Sequence, residues 1–227
     1  MWAIIKKELK DYFLSPIGYV VIGIFLLCFS VFFVATIMTY NSVDLGGLYY
    51  NTALIGLIVI VPILTMRMFA EERKTGTEQL LLTSPTSMFK VVMGKFFAAL
   101  IVIAITLVLS LMYFAILSTL GKPNIVTTLV QIFGFIFISM AAISVGMFAS
   151  SVTENQIISG VITIAFLLLS IFIEDVSTKL SGLKLINYYT NFAKGVISLQ
   201  DIISLVLFTF VFISLTIIVM QRRKLVK

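Results

Sequence analysis

Long apolar runs alternate with short polar segments along the chain. About 20 consecutive apolar residues are enough to cross the hydrocarbon of a bilayer as a helix. Six runs have this character and are predicted to span a membrane: residues 17–40, 53–69, 91–119, 126–151, 156–173 and 202–220. The pattern therefore predicts an all-α membrane protein with six transmembrane helices in one domain, residues 1–227.

The segment before the first run, residues 1–15, is amphipathic. Its apolar positions recur at helical spacing: Trp2, Ile5, Leu9 and Tyr12. Its other side carries charge: Lys6, Lys7, Lys10 and Asp11. Such a segment is typical of a short helix that lies in the headgroup region, and Ser15-Pro16 is expected to end it.

The segment between the last two runs, residues 174–200, is too long for a simple turn. Ile186, Tyr189, Phe192 and Val196 recur at helical spacing. They predict a short amphipathic helix of about twelve residues, too short to cross the bilayer, at the outer interface.

Composition restricts the class of protein further. Of the 227 residues, 60% are hydrophobic and 11% are charged, against roughly 25% charged in soluble domains. A soluble domain and a disordered chain are both excluded. There is no histidine and a single cysteine, Cys28, so we expect no imidazole chemistry, no disulfide framework and no metal site.

The distribution of Lys and Arg predicts the orientation in the membrane. With six spans, one side holds three basic residues before Pro16, five from residue 67 to residue 95 and four at the carboxyl terminus, twelve in all. The other side holds four: Lys122, Lys179, Lys184 and Lys194. By the positive-inside rule, both termini are predicted to be cytoplasmic. The formal charge of +6 is assigned to orientation rather than to binding nucleic acid.

The charged segment after the second run, residues 66–85, carries the clearest functional signal. Thr75 and Glu78 have capping-box spacing and predict a short helix that begins there. Three leucines follow on the cytoplasmic side: Leu80, Leu81 and Leu82. Apolar side chains rimmed by charge indicate a protein partner. An interfacial loop whose leucines enter the lipid explains the pattern equally well.

Two other features concern helix ends and helix packing. Thr153 with Gln156 predicts the start of the fifth span by capping. Ala142, Gly146 and Ser150 recur every four residues in the fourth span, which favours close packing of helices. The spans are predicted to hold no charge, with Arg67 at a span end, and to offer no buried carboxylate that could carry a coupling proton; this disfavours an ion-coupled transporter.

The order of these motifs resembles one family. The pattern E-E-R-x-x-G-T-x-x-L-L-L-x-S-P at residues 71–85 resembles ABC-2 type permeases, the membrane subunits of ATP-driven exporters such as those of gliding motility, nitrous-oxide-reductase maturation and antibiotic export. Residues 7–20 resemble their amino-terminal elbow helix, residues 150–156 their turn between spans four and five, and residues 192–197 their segment before the last span.

The resemblance implies roles for individual residues. Those of a coupling helix that contacts the ATPase subunit are Glu71, Glu72, Arg73, Gly76, Thr77, Glu78, Leu80, Leu81 and Leu82. Those of the elbow helix are Lys6, Lys7, Glu8 and Lys10. The turn formed by Thr153, Glu154, Asn155 and Gln156 is implied as a second, smaller contact; a tight turn with no partner is the alternative.

The resemblance also implies an assembly in the cytoplasmic (inner) membrane of a bacterium or archaeon. Its parts are an ATPase dimer, a second permease subunit (identical or homologous) and membrane lipid; an extracytoplasmic accessory subunit is left open. The chain has no G-x-x-x-x-G-K-[ST] motif, so it is not expected to be an enzyme, and ATP and Mg would be bound by the partner. The alternatives are a membrane scaffold that docks a cytoplasmic partner, or an ion channel or secondary transporter.

Overall fold

Helices make up most of the chain that the structure describes. The computed structural model describes residues 1–40, 45–79, 86–121, 123–176 and 184–226. The elements are α1 (Trp2–Leu14), α2 (Ile17–Tyr40), α3 (Gly46–Asn51), a π-helical turn (Thr52–Gly56), α4 (Leu57–Thr65), α5 (Ala70–Lys74), α6 (Met88–Leu120), α7 (Ile125–Val152), α8 (Gln156–Val176), a 3₁₀ helix (Leu185–Tyr189), α9 (Thr190–Ala193) and α10 (Leu199–Val226). Within these ranges there is no β-strand, so the predicted all-α class is confirmed.

Five stretches of helix are long and apolar enough to cross a bilayer. They are Ile17–Thr36, Gly46–Lys74, Met88–Thr119, Ile125–Val152 and Leu199–Lys224. The chain is therefore a multi-pass membrane protein. The remaining apolar helix, Gln156–Phe172, has fewer than 18 residues within the described part of α8, so a sixth span stays a prediction.

Helix α7 lies at the centre of the bundle. In its most apolar stretch, 67% of the residues are buried, whereas the corresponding share in α10 is 22%. Helix α7 contacts α4, α6, α8 and α10. Small residues permit these contacts: a Cβ added at Gly146 would overlap the Thr65 side chain of α4, and one at Gly134 would overlap Phe192. Ala142 and Ser150, at the same spacing, are buried as well.

The second predicted span is irregular near its amino-terminal end. A proline inside a helix is expected to kink it, and Pro62 lies inside α4. The change in helix geometry occurs earlier, in the π-helical turn Thr52–Gly56 that links α3 to α4. A π-helical turn is wider than an α-helical turn. The side chains of α3 are therefore rotated about the helix axis relative to those of α4, and this change comes before Pro62.

The segment between the last two predicted spans, residues 174–200, differs from its prediction where the structure describes it. Instead of one helix of about twelve residues, the structure has the 3₁₀ helix followed by the single turn of α9. The Tyr189 hydroxyl donates to the Gln131 carbonyl at 3.1 Å, and Gln131 Nε2 donates to the Ala193 carbonyl at 3.1 Å. These bonds pin the segment onto α7, and Gly195, with a φ of 78°, ends it. Val196, predicted on the apolar face, is exposed.

The outer surface of the bundle is strongly apolar. Large hydrophobic side chains are exposed along α2, α6, α8 and α10, among them Leu27, Val108, Leu169 and Phe210. A surface of this kind is unfavourable in water and suits contact with lipid tails.

We expect Gly146→Ala to destabilise the bundle, because its methyl group would overlap Thr65. Overpacking of this kind costs about 1–3 kcal/mol. The matched control is Gly23→Ala in α2, where nothing lies within 4 Å of the added Cβ and the helix propensity gain is the same. Thermal unfolding in detergent measures both. Equal midpoints for the two variants would contradict the packing described here.

Candidate functional site

Four parts of the chain meet at one end of the bundle. They are α1, residues 66–79 around α5, the turn between α7 and α8, and the last turns of α10. We call this the charged end. Lys and Arg outnumber Asp and Glu among its described residues, so its net charge is positive.

Lys95 is the most deeply buried charge at this end. It lies in α6, its side chain is 2% exposed, and its Nζ is 2.9 Å from Glu8 Oε1 and 2.8 Å from Glu72 Oε1. The same ammonium lies 5.4 Å from the centre of the Phe69 ring. One cation therefore joins α1, α5 and α6. Since a buried charge is strongly unfavourable without partners, this contact constrains all three helices.

Lys7 extends this network to the surface. Its Nζ is 3.1 Å from Glu8 Oε1, 3.4 Å from Asp11 Oδ2 and 3.5 Å from Glu72 Oε1. Burial alone would raise the pKa of Glu8, but Lys95 and Lys7 outweigh it and hold that pKa below its ordinary value. Burial opposes the charged form of Lys7, yet Glu8 and Glu72 raise its pKa. Both groups are therefore charged at neutral pH.

Packing also holds α1 in place. The buried Tyr12 hydroxyl donates to the Leu64 carbonyl of α4 at 3.0 Å. A Cβ added at Gly94 of α6 would come within 2.8 Å of Ile4 Cγ2, so the two helices approach closely there. The elbow helix implied by the resemblance is thus fixed to α4 and α6 by contacts beyond its ion pairs.

A second set of bonds fastens α5 to the end of α7. The Ser150 hydroxyl accepts from the backbone N–H groups of Phe69 and Ala70, both at 3.1 Å. Arg73 donates to the Ser151 carbonyl at 2.7 Å and to the Val152 carbonyl at 3.3 Å. These are groups that a helix start and a helix end leave without intrahelical partners. Each helix therefore satisfies the terminus of the other.

Helix α10 joins this second set through Arg223. Its guanidinium is 3.4 Å from Glu78 Oε1 and also donates to the Val152 carbonyl at 3.4 Å. Glu78 Oε2 lies 3.5 Å from Arg73 Nε. Glu78 is thus shared by two arginines and ties the segment that follows α5 to α7 and α10.

The capping box predicted for Thr75 and Glu78 is wrong. Thr75 is the residue after α5, and its hydroxyl donates to the Glu71 carbonyl at 2.9 Å. The Glu78 carboxylate is bound by arginines instead. Gly76 follows with a φ of 75°, a conformation that favours glycine, and it turns the chain back. Sequence spacing could not distinguish these roles, because it does not show that Glu78 binds Arg73, five positions before it, and Arg223, 145 positions after it.

The turn between α7 and α8 also uses a different cap from the one predicted. The Asn155 side chain accepts from the Ile157 N–H at 2.9 Å and caps α8. Thr153 instead donates to the Ala149 carbonyl at 3.2 Å, so it belongs to the end of α7. Glu154 and Asn155 are exposed, and Gln156 is partly exposed. The turn can therefore be reached from solvent.

The implied contact residues divide into two groups. Glu72, Arg73 and Glu78 point into the protein and bind its own helices. Gly76 and Thr77 are exposed, and Glu71 is partly exposed and 2.9 Å from Arg67. Their neighbours Lys74 and Thr75, which the resemblance did not single out, are exposed as well. We call residues 71–77 the hairpin. The three leucines, Leu80, Leu81 and Leu82, lie outside the described residues.

A cleft flanks the hairpin on each side. One, of about 520 Å³, lies between α1 and the hairpin, with Lys7, Asp11, Arg67 and Thr77 in its lining. The other, of about 500 Å³, lies between the hairpin and α10, with Gln79, Glu154 and Arg222 in its lining. The hairpin is therefore a ridge with a polar groove on either side.

Sequence reasoning missed the role of Lys95 and Arg223. The sequence counts Lys95 and Arg223 only among the basic residues of the predicted cytoplasmic side. The signal available for Lys95 was its position inside a predicted apolar run, with Met93 and Phe96 beside it. A cation there requires a carboxylate partner, but the sequence does not say which one.

The prediction that the spans hold no charged residue is wrong. Lys95 lies inside the candidate span Met88–Thr119. The structure also buries carboxylates, at Glu8, Glu78 and Asp201. Glu8 and Glu78 are held by cations at the charged end, and Asp201 accepts from Asn191 at 2.7 Å near the start of α10. These charges lie near helix ends and are neutralised or hydrogen-bonded within the chain.

Comparison with known proteins adds no assignment. No protein-family model matches the chain, and no curated protein matches it.

We expect Lys95→Met to loosen the attachment of α1 to the bundle, because Glu8 and Glu72 would lose their buried cation and keep only the exposed Lys7. Breaking a buried ion pair in this way costs about 3–5 kcal/mol. Lys90→Met, at an exposed position of the same helix, is the control. Thermal unfolding and the rate of proteolysis within residues 1–15 measure the effect. Identical behaviour of the two variants would contradict the role given to Lys95.

The pKa of Glu8 predicts how stability depends on pH. Because that pKa is lowered from 4.5 in the folded protein, its ionisation stabilises the fold above pH 4.5, and this contribution is lost as the pH falls through the folded value. The difference in unfolding midpoint between wild type and Glu8→Gln should be constant above pH 4.5 and shrink below it. A difference that grows on acidification would have the wrong sign.

Proposed function

We propose that this chain is the transmembrane permease subunit of an ATP-driven exporter of the ABC-2 type. It would move an amphipathic or apolar substrate out of the cell. A separate ATPase dimer would bind ATP and Mg and would hydrolyse the ATP. The proposal is supported by the sequence pattern of residues 71–85 together with the arrangement of the hairpin.

One observation carries the proposal: the hairpin is exposed at its tip and fastened on both sides of its base. Lys74 to Thr77 face solvent, while Glu72 and Arg73, at the base, bind α6 and α7. A force applied to the tip would therefore reach two different groups of helices. A loop that only covers the membrane surface would need no such bracing.

The membrane arrangement follows from the charge distribution. We propose six spans, with the charged end and both termini in the cytoplasm of a bacterium or archaeon. A second permease subunit, identical or homologous, would complete the pathway. The positive charge of the charged end would then face an acidic surface of the ATPase.

The residues of this chain would transmit motion rather than perform chemistry. ATP binding in the partner would displace the hairpin. Through Glu72 and Lys95 the displacement would pass to α1 and α6, and through Arg73, Glu78 and Arg223 to α7 and α10. Tilting of these helices would open the pathway to the outside.

A membrane scaffold that docks a cytoplasmic partner without transport would use the same hairpin. Reconstitution of the purified complex in vesicles separates the two. ATP-dependent transport, abolished when the ATPase is inactivated, supports the exporter. A complex that assembles fully and transports none of a panel of amphipathic compounds supports the scaffold.

The first test is purification of the chain from native membranes in mild detergent. We expect an ATPase to copurify with wild type. The amount that copurifies should fall about tenfold in Lys74→Glu, because reversing a charge at the contact introduces repulsion. Leu81→Asp should act in the same direction. The control is Lys194→Glu, outside the charged end. Purification of wild type without any ATPase would contradict the proposal.

A further inference from the structure

The exposed face of α1 combines two features that point to a ligand. Four residues lie along it at intervals of four positions: Trp2, Lys6, Lys10 and Leu14. Trp2 is 74% and Leu14 is 84% exposed, and both lysines are exposed. The opposite face, with Ile5, Glu8 and Tyr12, is buried. Two cations thus lie between two apolar side chains that contact little of the protein.

The cations of this face are available to a ligand. Lys6 and Lys10 form no ion pair with a carboxylate in the described ranges, unlike Lys7 one position away, which contacts three. Lysine side chains lying along an apolar surface extend their ammonium groups toward polar neighbours. The arrangement therefore suits a ligand that is anionic next to an apolar surface.

The position of α1 identifies that surface. Only Ser15 and Pro16 separate α1 from the candidate span Ile17–Thr36. Leu14 is followed by exposed Tyr19 and Val20 on that span, so the apolar surface of α1 is continuous with one suited to lipid tails. Tryptophan and tyrosine are enriched at the level of the headgroups. The continuity favours lipid over a cytoplasmic protein.

We propose that α1 binds anionic phospholipid headgroups through Lys6 and Lys10, with Trp2 and Leu14 inserted beside them. A phosphate that carries an uncompensated negative charge is attracted by both ammonium groups. A zwitterionic headgroup is attracted less. The site is independent of any ATPase, so it can be tested on this chain alone.

Trp2 is the only tryptophan in the chain, which provides a direct measurement. The protein is placed in nanodiscs of phosphatidylcholine with a minor fraction of phosphatidylglycerol. Either one lipid or the other carries bromine on its acyl chains, and bromine quenches tryptophan fluorescence on contact. Quenching by each lipid at the same overall composition gives the enrichment of phosphatidylglycerol next to Trp2.

We expect phosphatidylglycerol to be enriched severalfold over its mole fraction. The variant Lys6→Gln with Lys10→Gln should bring the enrichment down toward the mole fraction, because each lysine contributes at most about fivefold. High salt should lower the enrichment in wild type. The double variant Lys184→Gln with Lys194→Gln, outside the charged end, is the control and should leave it unchanged.

Three results would overturn the proposal. They are enrichment equal to the mole fraction in wild type, enrichment unaffected by loss of Lys6 and Lys10, and quenching of Trp2 by aqueous acrylamide but by neither lipid. The last result would mean that α1 lies in water or against a soluble partner. None of these outcomes depends on whether an ATPase binds the hairpin.

Discussion

The buried ammonium of Lys95 is the contact on which the charged end depends. It holds Glu8 of α1 and Glu72 of α5 within 2.9 Å and 2.8 Å, and none of the three side chains has substantial exposure to water. A buried ion pair adds little net stability, but removing one partner is strongly unfavourable. Its main consequence is therefore geometric: α1, α5 and α6 must keep one arrangement or leave charges buried alone.

Through the second set of contacts, the hairpin and the residue that follows it, Glu78, are bound to α7 and α10 as well as to α1 and α6. The Ser150 hydroxyl accepts from the Phe69 N–H at the start of α5, and Arg73 of α5 donates to the Ser151 carbonyl at the end of α7. Glu78 brings in Arg223 of α10. The contacts named here lie at the base of the hairpin and not at its tip, where Gly76 turns the chain. A hairpin held this way can be displaced only together with helices that cross the membrane, which is the property a transmitting element needs.

The sequence alone predicts most of the long helices, but it does not predict the contacts between them. The apolar runs place α2, α6, α7 and α10 within a few residues, because lipid imposes length and composition directly. Lys95 looked like one more cytoplasmic lysine, since its partners lie 87 and 23 positions away. The caps predicted at Thr75 and Thr153 are wrong for a local reason: each hydroxyl donates to a carbonyl four positions earlier, in the helix that precedes it.

The most direct test of the central claim is the distance between spin labels on α1 and the hairpin. Cysteines at Lys10 and Lys74, both exposed, can be introduced after Cys28→Ser removes the only native cysteine. Pulsed electron paramagnetic resonance should give one narrow distance with Lys95 present and a broad distribution with Lys95→Met. A distribution that is equally narrow without Lys95 would contradict the claim that this side chain holds the two elements together.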